Sequence, residues 1–269
     1  MPVINTNTSA QYAQDALKVN TKTMSNAMQQ LATGSRINAA RDDAAGLSIS
    51  QNMTSQVRGL NQAVRNATDG INLLQTADGG LVETSNMLQR MRELAVQSSN
   101  GTNSTSQRLY LNNEFASLTT EINRIASGTT WNNSNLYGTA LIFQAGMNSG
   151  NLISVTMSAM DAVAIGISTT ATISTFAGSQ VAITSLDAAI DTVNSARSTM
   201  GAVMNQLSYS ADNLSNISTN IAASRSSILD TDYATASSQL SRGQIIQQAA
   251  TAMLAQANQQ PKDVLALLK

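Results

Sequence analysis

The chain has 269 residues, enough for one or two domains with a sizeable core. Hydrophobic residues make up 42% of it but aromatic residues only 3%, which is typical of helix seams rather than of sheet cores or ligand pockets. The formal net charge of −1 gives no electrostatic reason to expect nucleic acid or an anionic membrane as a partner, and the absence of Cys and His excludes thiol chemistry, disulfides and imidazole metal ligands.

The sequence carries no recognisable signal for membrane insertion. Its N-terminus lacks the basic and apolar regions of a Sec-type signal peptide, and no run of ~18 apolar residues predicts a transmembrane helix. Judged by these features alone, the protein is expected in the cytosol.

The first predicted element is a weak amphipathic helix over residues 4–33. Its apolar face is small and its other residues are mostly Asn, Gln, Ser and Thr, so burial alone does not offset the cost of ordering the helix. We therefore expect this helix to be flexible until it binds a partner. Gly34 fits its C-terminal cap position. The apolar face consists of Ala10, Ala13, Leu17, Met24, Met28 and Leu31.

A short charged connector, residues 34–48, follows this helix. One of its two adjacent aspartates is expected to serve the N-terminus of the next helix. Arg and Asp residues packed this closely suggest an acid/base site as one alternative and a set of ion pairs and helix caps as the other, which we favour. The connector residues concerned are Gly34, Arg36, Arg41, Asp42 and Asp43.

A heptad pattern predicts one long helix over residues 44–97. At ~1.5 Å per residue this helix would be roughly 80 Å long. Two apolar stripes run along it, so it needs partners on two sides, as in a bundle or a fibre. The main stripe is Met53, Val57, Leu60, Val64, Ala67, Ile71, Leu74, Leu81 and Leu88, and the second is Leu73, Ala77, Met87, Met91 and Leu94.

A second helix is predicted to begin after a cap at Ser104 or Ser106, to end at Gly128 and to fold back on the first as a helical hairpin. The helical period is then lost. Residues 141–143 and 152–155 predict a β-hairpin around a turn rich in Gly and Asn. A further short apolar strand segment is expected around residues 165–167.

The heptad pattern returns over residues 183–228, where Arg197, Ser218 and Arg225 interrupt it. A last helix is predicted over residues 232–259, with Gly243 as its weak point. An apolar tip follows it, formed by Val264, Leu265, Leu267 and Leu268. The predicted fold is mainly α, a long coiled-coil helical bundle in which the N- and C-terminal helices pair, with a small β-hairpin region.

Four stretches of the sequence are distinctive because of their length and composition. They are ATGSRINAARDDAAGLSIS (32–50), ATDGINLLQTADGGL (67–81), LQRMRELAVQSSNGTNS (88–104) and the whole C-terminal segment 230–269. These stretches resemble bacterial flagellin, and the resemblance extends over about residues 1–130 and 185–269. Only residues 128–178 bridge the two ends, so the resemblance implies a short form that lacks the outer variable domains. Gly243 stands where the family usually has a better helix former.

The resemblance implies a division of the chain into three parts. Residues 1–44 are expected to form the N-terminal helix and connector of an inner core domain, and residues 230–269 its C-terminal helix. Residues 45–229 are expected to form a rod domain of long helices with a β-hairpin insert at about 130–180.

The function implied by the resemblance is structural. The chain is expected to be secreted and to polymerise with itself into the extracellular flagellar filament, the helical propeller for motility. Expected partners are an export chaperone, the filament cap, hook-junction proteins and host flagellin receptors. A hook–filament junction protein and a non-polymerising coiled-coil scaffold are the alternatives. No catalytic residue, metal site or cofactor is assigned, because no phosphate-binding loop or nucleophile motif occurs and the carboxylates are scattered.

Three groups of residues acquire expected roles from the resemblance. The connector is expected to link the inner and outer tubes of the filament, and residues 29–50 resemble the segment that plant receptors recognise. Arg90, Leu94 and Glu114 match the patch recognised by the mammalian Toll-like flagellin receptor. The apolar tip is expected to be buried in the filament core and to be recognised by an inflammasome receptor, and the terminal helix is expected to be held by the export chaperone before secretion. Without the resemblance, Arg90, Leu94 and Glu114 are equally well explained as a solvated helix face beside the seam.

Overall fold

The computed structural model describes residues 6–168 and 171–267, with side chains up to residue 259. Its chain contacts define two compact units, residues 1–55 with 220–269, called unit 1, and residues 56–219, called unit 2. The elements in chain order are α1 (Thr8–Thr33), α2 (Ala44–Ser98), α3 (Thr105–Gly128), β1 (Thr130–Trp131), β2 (Ser134–Asn135), β3 (Ala140–Gln144), β4 (Leu152–Thr156), α4 (Phe176–Leu229) and α5 (Tyr233–Leu267).

In unit 1 the two terminal helices, α1 and α5, pair in antiparallel fashion. The side-chain amide of Asn7 donates to the Ala257 carbonyl (2.8 Å), and that of Asn20 donates to the Gly243 carbonyl (2.8 Å). Low residue numbers on α1 therefore meet high ones on α5. The predicted pairing of the two chain ends is confirmed.

Gly34 ends α1 as expected from the sequence. Its φ of 70° lies in the left-handed region, which glycine adopts without a steric penalty. Its N–H donates to the Gln30 carbonyl at 2.9 Å, which satisfies one of the free carbonyls at the helix end.

The core of unit 2 lies between the long helices α2 and α4, with α3 folded back along α2. The stripe residues Leu74, Leu81 and Leu88 of α2 are fully buried, as are Leu186 and Leu207 of α4. The heptad patterns thus identify the faces that pack. Burial of such side chains contributes ~1.5–3 kcal/mol each, which makes this seam the main source of stability in the unit.

The start of α3 is fixed by reciprocal hydrogen bonds. The Ser104 hydroxyl accepts from the Gln107 N–H (3.3 Å), and the Gln107 side-chain oxygen accepts from the Ser104 N–H (2.8 Å). This capping box confirms Ser104, one of the two predicted caps. Phe115 and Ile122 on the inner face of α3 are fully buried, so the helix is held against the core.

The predicted β-hairpin is confirmed by the antiparallel pairing of β3 with β4, in which Ile142 lies opposite Ser154. A second, two-residue ladder between β1 and β2 was not predicted. Its turn consists of Asn132 and Asn133, which have φ values of 48° and 63°. Asn tolerates positive φ values better than most residues do, so the Asn–Asn dipeptide was the sequence feature that indicated this tight turn.

The strand expected around residues 165–167 is wrong. The Ile167 N–H donates to the Ala162 carbonyl at 2.8 Å, and Gly166 has a φ of 93°, so the segment is a turn. Ile165 and Ile167 are both buried. Their apolar character reflects anchoring of an irregular segment to the core rather than strand pairing.

Candidate interaction surfaces

The two aspartates of the connector hold its backbone in place. Asp43 Oδ1 accepts from the Gly46 N–H (2.8 Å) and so caps the N-terminus of α2, as predicted. Asp42 Oδ2 accepts from the backbone N–H groups of Asn38 (3.2 Å) and Ala39 (2.9 Å). Both carboxylates are engaged with main-chain donors, an arrangement typical of structural caps rather than of an acid/base pair.

Arg36 has a role that the sequence did not indicate. Its guanidinium Nε and Nη2 both donate to the Ile228 carbonyl (3.2 and 2.6 Å), and its backbone N–H donates to the Leu229 carbonyl (2.7 Å). These carbonyls belong to the last turn of α4, where the carbonyl groups have no N–H partner within the helix. The Thr231 N–H in turn donates to the Gly34 carbonyl at 3.0 Å. The connector therefore caps the C-terminus of α4.

The expected ion pairs within the connector reduce to one long contact. Arg41 Nε lies 3.7 Å from Asp42 Oδ1, and the Arg41 side chain is 74% exposed. An exposed pair at this distance contributes little to stability. The connector is fixed mainly by hydrogen bonds to main-chain atoms.

Arg90 and Glu114 lie together on the surface of unit 2. The Arg90 Nη2 and Glu114 Oε1 atoms are 3.0 Å apart, and Arg90 Nη1 also bonds Glu93 Oε2 at 3.0 Å. The hydrogen bonds to Glu93 and Glu114 raise the pKa of the Arg90 guanidinium above its usual range. Both side chains of the α2–α3 pair are about half exposed and accessible to a partner.

Leu94 differs from these two residues because it is fully buried. It belongs to the same core as Phe115. Of the three predicted patch residues, Arg90 and Glu114 are therefore on the surface and Leu94 is in the core.

The apolar tip Val264, Leu265, Leu267 and Leu268 has side chains outside the described residues, so its predicted role stays a prediction. The described parts of α1 and α5 expose several large apolar side chains. Tyr12 is 77% exposed, Val19 67%, Ile245 67% and Met253 66%. Met253 was on the apolar face predicted for the last helix, whereas Tyr12, Val19 and Ile245 were not on the stripes predicted from the sequence.

The polar residues that interrupt the α4 seam are each bonded to a polar residue of α2. The hydrogen bond of Arg197 to Asp78 raises the pKa of the guanidinium. Since a polar group inside a seam is satisfied in one alignment only, these pairs set the register of the two helices. The pairs are Arg197 with Asp78 (2.8 Å), Ser218 with Asn61 (2.8 Å) and, more loosely, Arg225 with Thr54 (3.5 Å).

The described residues contain no group of three or more His, Cys, Asp or Glu side chains placed to hold a metal ion. Within the same described ranges, no helix is both long enough and apolar enough to cross a bilayer.

The chain has the features of a helical structural protein: long antiparallel helices with heptad seams, and a pair of terminal helices that exposes apolar side chains. The family model for the bacterial flagellin N-terminal helical region matches residues 4–140, and that for the C-terminal helical region matches residues 183–268. The chain therefore belongs to the bacterial flagellin family, whose members are the structural subunits of the flagellar filament.

Individual relatives agree with this assignment. A flagellin of Halalkalibacterium halodurans is 44% identical over 271 residues, covering 99% of this chain and all of that one. Flagellin B of Vibrio cholerae is 34% identical over a 371-residue alignment that covers 98% of this chain and 99% of that longer one. The crystal structure of Bacillus cereus flagellin matches with a TM-score of 0.51 and 33% identity over 60% of this chain and 94% of that chain. This chain is a short form of the family.

Proposed function

We propose that this chain is secreted and polymerises with itself into the flagellar filament through the face that α1 and α5 leave exposed. Tyr12, Val19, Ile245 and Met253 present large apolar side chains to solvent on this pair. Apolar surface gathered on one element is typical of an interaction site. Repeated head-to-tail contacts between such faces give an open helical polymer.

The inside of the same helix pair supports the proposal. The buried side chains that α1 and α5 contribute in their described parts are small: Ala10, Ala27 and Ala236, with Gly243 beside them. Small residues bury little apolar area, so the pair gains little stability from its own interface. Helices in proteins take most of their stability from the packing of an apolar face rather than from intrinsic propensity. Ordering of α1 and α5 is therefore coupled to assembly, and a subunit stays soluble until it reaches a growing end.

The domain organisation follows the same division of roles. Residues 1–44 and 230–269 form the inner core domain, which orders on assembly, and residues 45–229 form the rod domain, which is folded beforehand. In the chain the connector comes between α1 and the rod, and its residues Arg36 and Asp43 cap α4 and α2 respectively. The chain acts as a structural subunit and not as an enzyme.

Further partners fit the same surfaces. An export chaperone, filament cap and hook-junction proteins would cover exposed apolar residues of the terminal pair, among them Ile245 and Met253 on α5. Host flagellin receptors would bind the exposed Arg90–Glu114 pair. In the polymer, subunit packing covers this face, so receptors meet it on free monomers.

Seeded growth tests the proposal. Monomer is added to short filament fragments, and elongation is measured by light scattering and electron microscopy. Val19→Ser, which removes exposed apolar surface, is expected to slow growth and raise the monomer concentration left at equilibrium. Val19→Met is the matched control, since it keeps an apolar side chain and is expected to grow normally. A chain that does not elongate the fragments would favour the scaffold alternative, and one that only blocks their ends would favour a junction protein.

A further inference from the structure

The loop between α2 and α3 contains Asn100–Gly101, the one Asn–Gly pair in the sequence. We propose that Asn100 is a site of spontaneous deamidation and that the carboxylate formed there pairs with Arg108. The modification goes beyond the assembly function because it needs neither a partner nor polymerisation. The local hydrogen bonding carries the proposal.

The attacking nitrogen is available. The Gly101 N–H has no protein acceptor among the described residues. Gly101 is exposed, and a Cβ added there would meet no atom within 4 Å. Nothing in the described structure therefore obstructs the approach of this nitrogen to the neighbouring side chain.

The Asn100 side chain is folded forward along the loop. Its Oδ1 accepts from the Thr102 N–H at 3.2 Å, a local turn in which the side chain reaches forward over the Gly101 peptide. The hydrogen bond from Thr102 polarises the side-chain carbonyl of Asn100, whose Cγ is the atom that the Gly101 nitrogen attacks. The Nδ2 group of Asn100 has no acceptor in the described part of the chain, so it is free to leave.

Arg108 activates the same peptide group. Its Nη2 donates to the Asn100 backbone carbonyl at 3.1 Å, and the Asn103 N–H donates to the same oxygen at 3.2 Å. A charge-assisted hydrogen bond draws electron density from the Asn100–Gly101 peptide and makes the Gly101 N–H more acidic. Nε of Arg108 is itself buried without a partner.

The chemistry balances with water alone. The Gly101 nitrogen loses its proton and bonds to Cγ of Asn100, and the Cγ–Nδ2 bond breaks so that Nδ2 leaves as ammonia. Water then opens the cyclic imide to aspartate or isoaspartate. The product adds one negative charge next to Arg108 and close to the N-terminus of α3, where both the guanidinium and the helix dipole favour it.

Asn103–Ser104 in the same loop provides an internal reference. Asn103 Nδ2 donates to the Gln97 carbonyl (2.6 Å), and the Ser104 N–H donates to Gln107 Oε1 (2.8 Å). Both the leaving group and the attacking nitrogen are engaged there. Asn103 is expected to stay intact while Asn100 reacts.

The test is a time course on the purified full chain at mildly alkaline pH and physiological temperature. Peptide mapping by mass spectrometry measures conversion at Asn100 and Asn103, and enzymatic methylation counts isoaspartate. We expect Gly101→Ala to slow conversion about tenfold and Arg108→Gln about fivefold in the folded chain, with no effect of Arg108→Gln in denaturant. Conversion at Asn100 no faster than at Asn103, or a folded Arg108→Gln chain that reacts at the wild-type rate, would overturn the proposal.

A second measurement tests the pairing of the product. Asn100→Asp is expected to raise the melting temperature at low salt in the wild-type background and to leave it unchanged when combined with Arg108→Gln. Equal shifts in the two backgrounds would refute the pairing with Arg108. Circular dichroism of each variant before incubation shows that the helices are intact.

Discussion

Gly243 in α5 is the position where the coupling between helix order and assembly is most directly tested. It packs against α1, and a Cβ built there would lie 3.4 Å from Met24 Cβ and 3.6 Å from Asn20 Oδ1. Those are ordinary van der Waals separations, so Gly243→Ala fits without moving either helix. Replacing a helical glycine by alanine stabilises the helix by ~1 kcal/mol.

This gain in helix stability sets the expected change in the monomer concentration that is in equilibrium with filaments. If α5 orders only on polymerisation, the gain of ~1 kcal/mol belongs entirely to the polymer and lowers the monomer concentration in equilibrium with filaments about fivefold. Gly243→Leu has the opposite effect, because its side chain would overlap Met24 and force the helices apart. Such overpacking costs ~1–3 kcal/mol and raises the same concentration.

Gly201→Ala is the matched control. Gly201 lies in α4, and a Cβ there would meet no atom within 4 Å. This substitution raises helix stability by a similar amount in the rod, which is folded in both states, so the equilibrium monomer concentration should not change. Sedimentation of filaments at several total concentrations measures it. An Ala variant at 243 that polymerises no better than wild type, or a Leu variant that polymerises equally well, would refute the coupling.

Three further predictions concern the connector, the rod core and the receptor face. Asp42→Ala with Asp43→Ala should leave the rod folded but destabilise the start of α2 by ~1 kcal/mol and alter filament formation or shape, and normal swimming of the double mutant would argue against it. Burial, the largest influence, raises the pKa of Tyr137 to about 12. The stability that the neutral phenol contributes is therefore complete below pH 10 and is lost as the pH rises toward 12. Alkaline unfolding followed by circular dichroism should show this loss of stability, and Tyr137→Phe should abolish this part of the pH dependence. Glu114→Ala should weaken Toll-like receptor signalling by monomers more than by filaments. Filaments that signal as strongly as monomers without shedding subunits would contradict the idea that assembly covers this face. Leu94→Ala should in addition cost ~2–5 kcal/mol of rod stability, measured by thermal melting, because Leu94 is fully buried.

The sequence predicted the helices well because their signal is periodic. The spacing of Leu74, Leu81 and Leu88 identifies a buried face directly, since side chains seven apart lie on one side of a helix. Ser104 and Gly34 were recognisable as caps because each residue type has a local reason to occupy that position. Local chemistry and periodicity are therefore enough for the fold class.

Partners distant along the chain could not be read in the same way. Arg197 looked like an interruption because its spacing says nothing about Asp78, which is 119 residues away. Arg36 was expected in an ion pair, yet it binds a carbonyl at the end of another helix. Leu94 was placed on a recognition face by resemblance, although its position in the second apolar stripe was the signal for burial.

Hydrogen exchange of the dilute monomer, compared with that of the filament, measures whether α1 and α5 become ordered only on assembly. We expect amides of α1 and α5 to exchange rapidly in the monomer and to become strongly protected in the filament, whereas amides of α2, α3 and α4 within residues 56–219 are protected in both. A chain truncated after residue 235 should show the same protected rod and should fail to elongate filament fragments. Strong protection of α1 and α5 in the dilute monomer would contradict the claim that their ordering drives assembly.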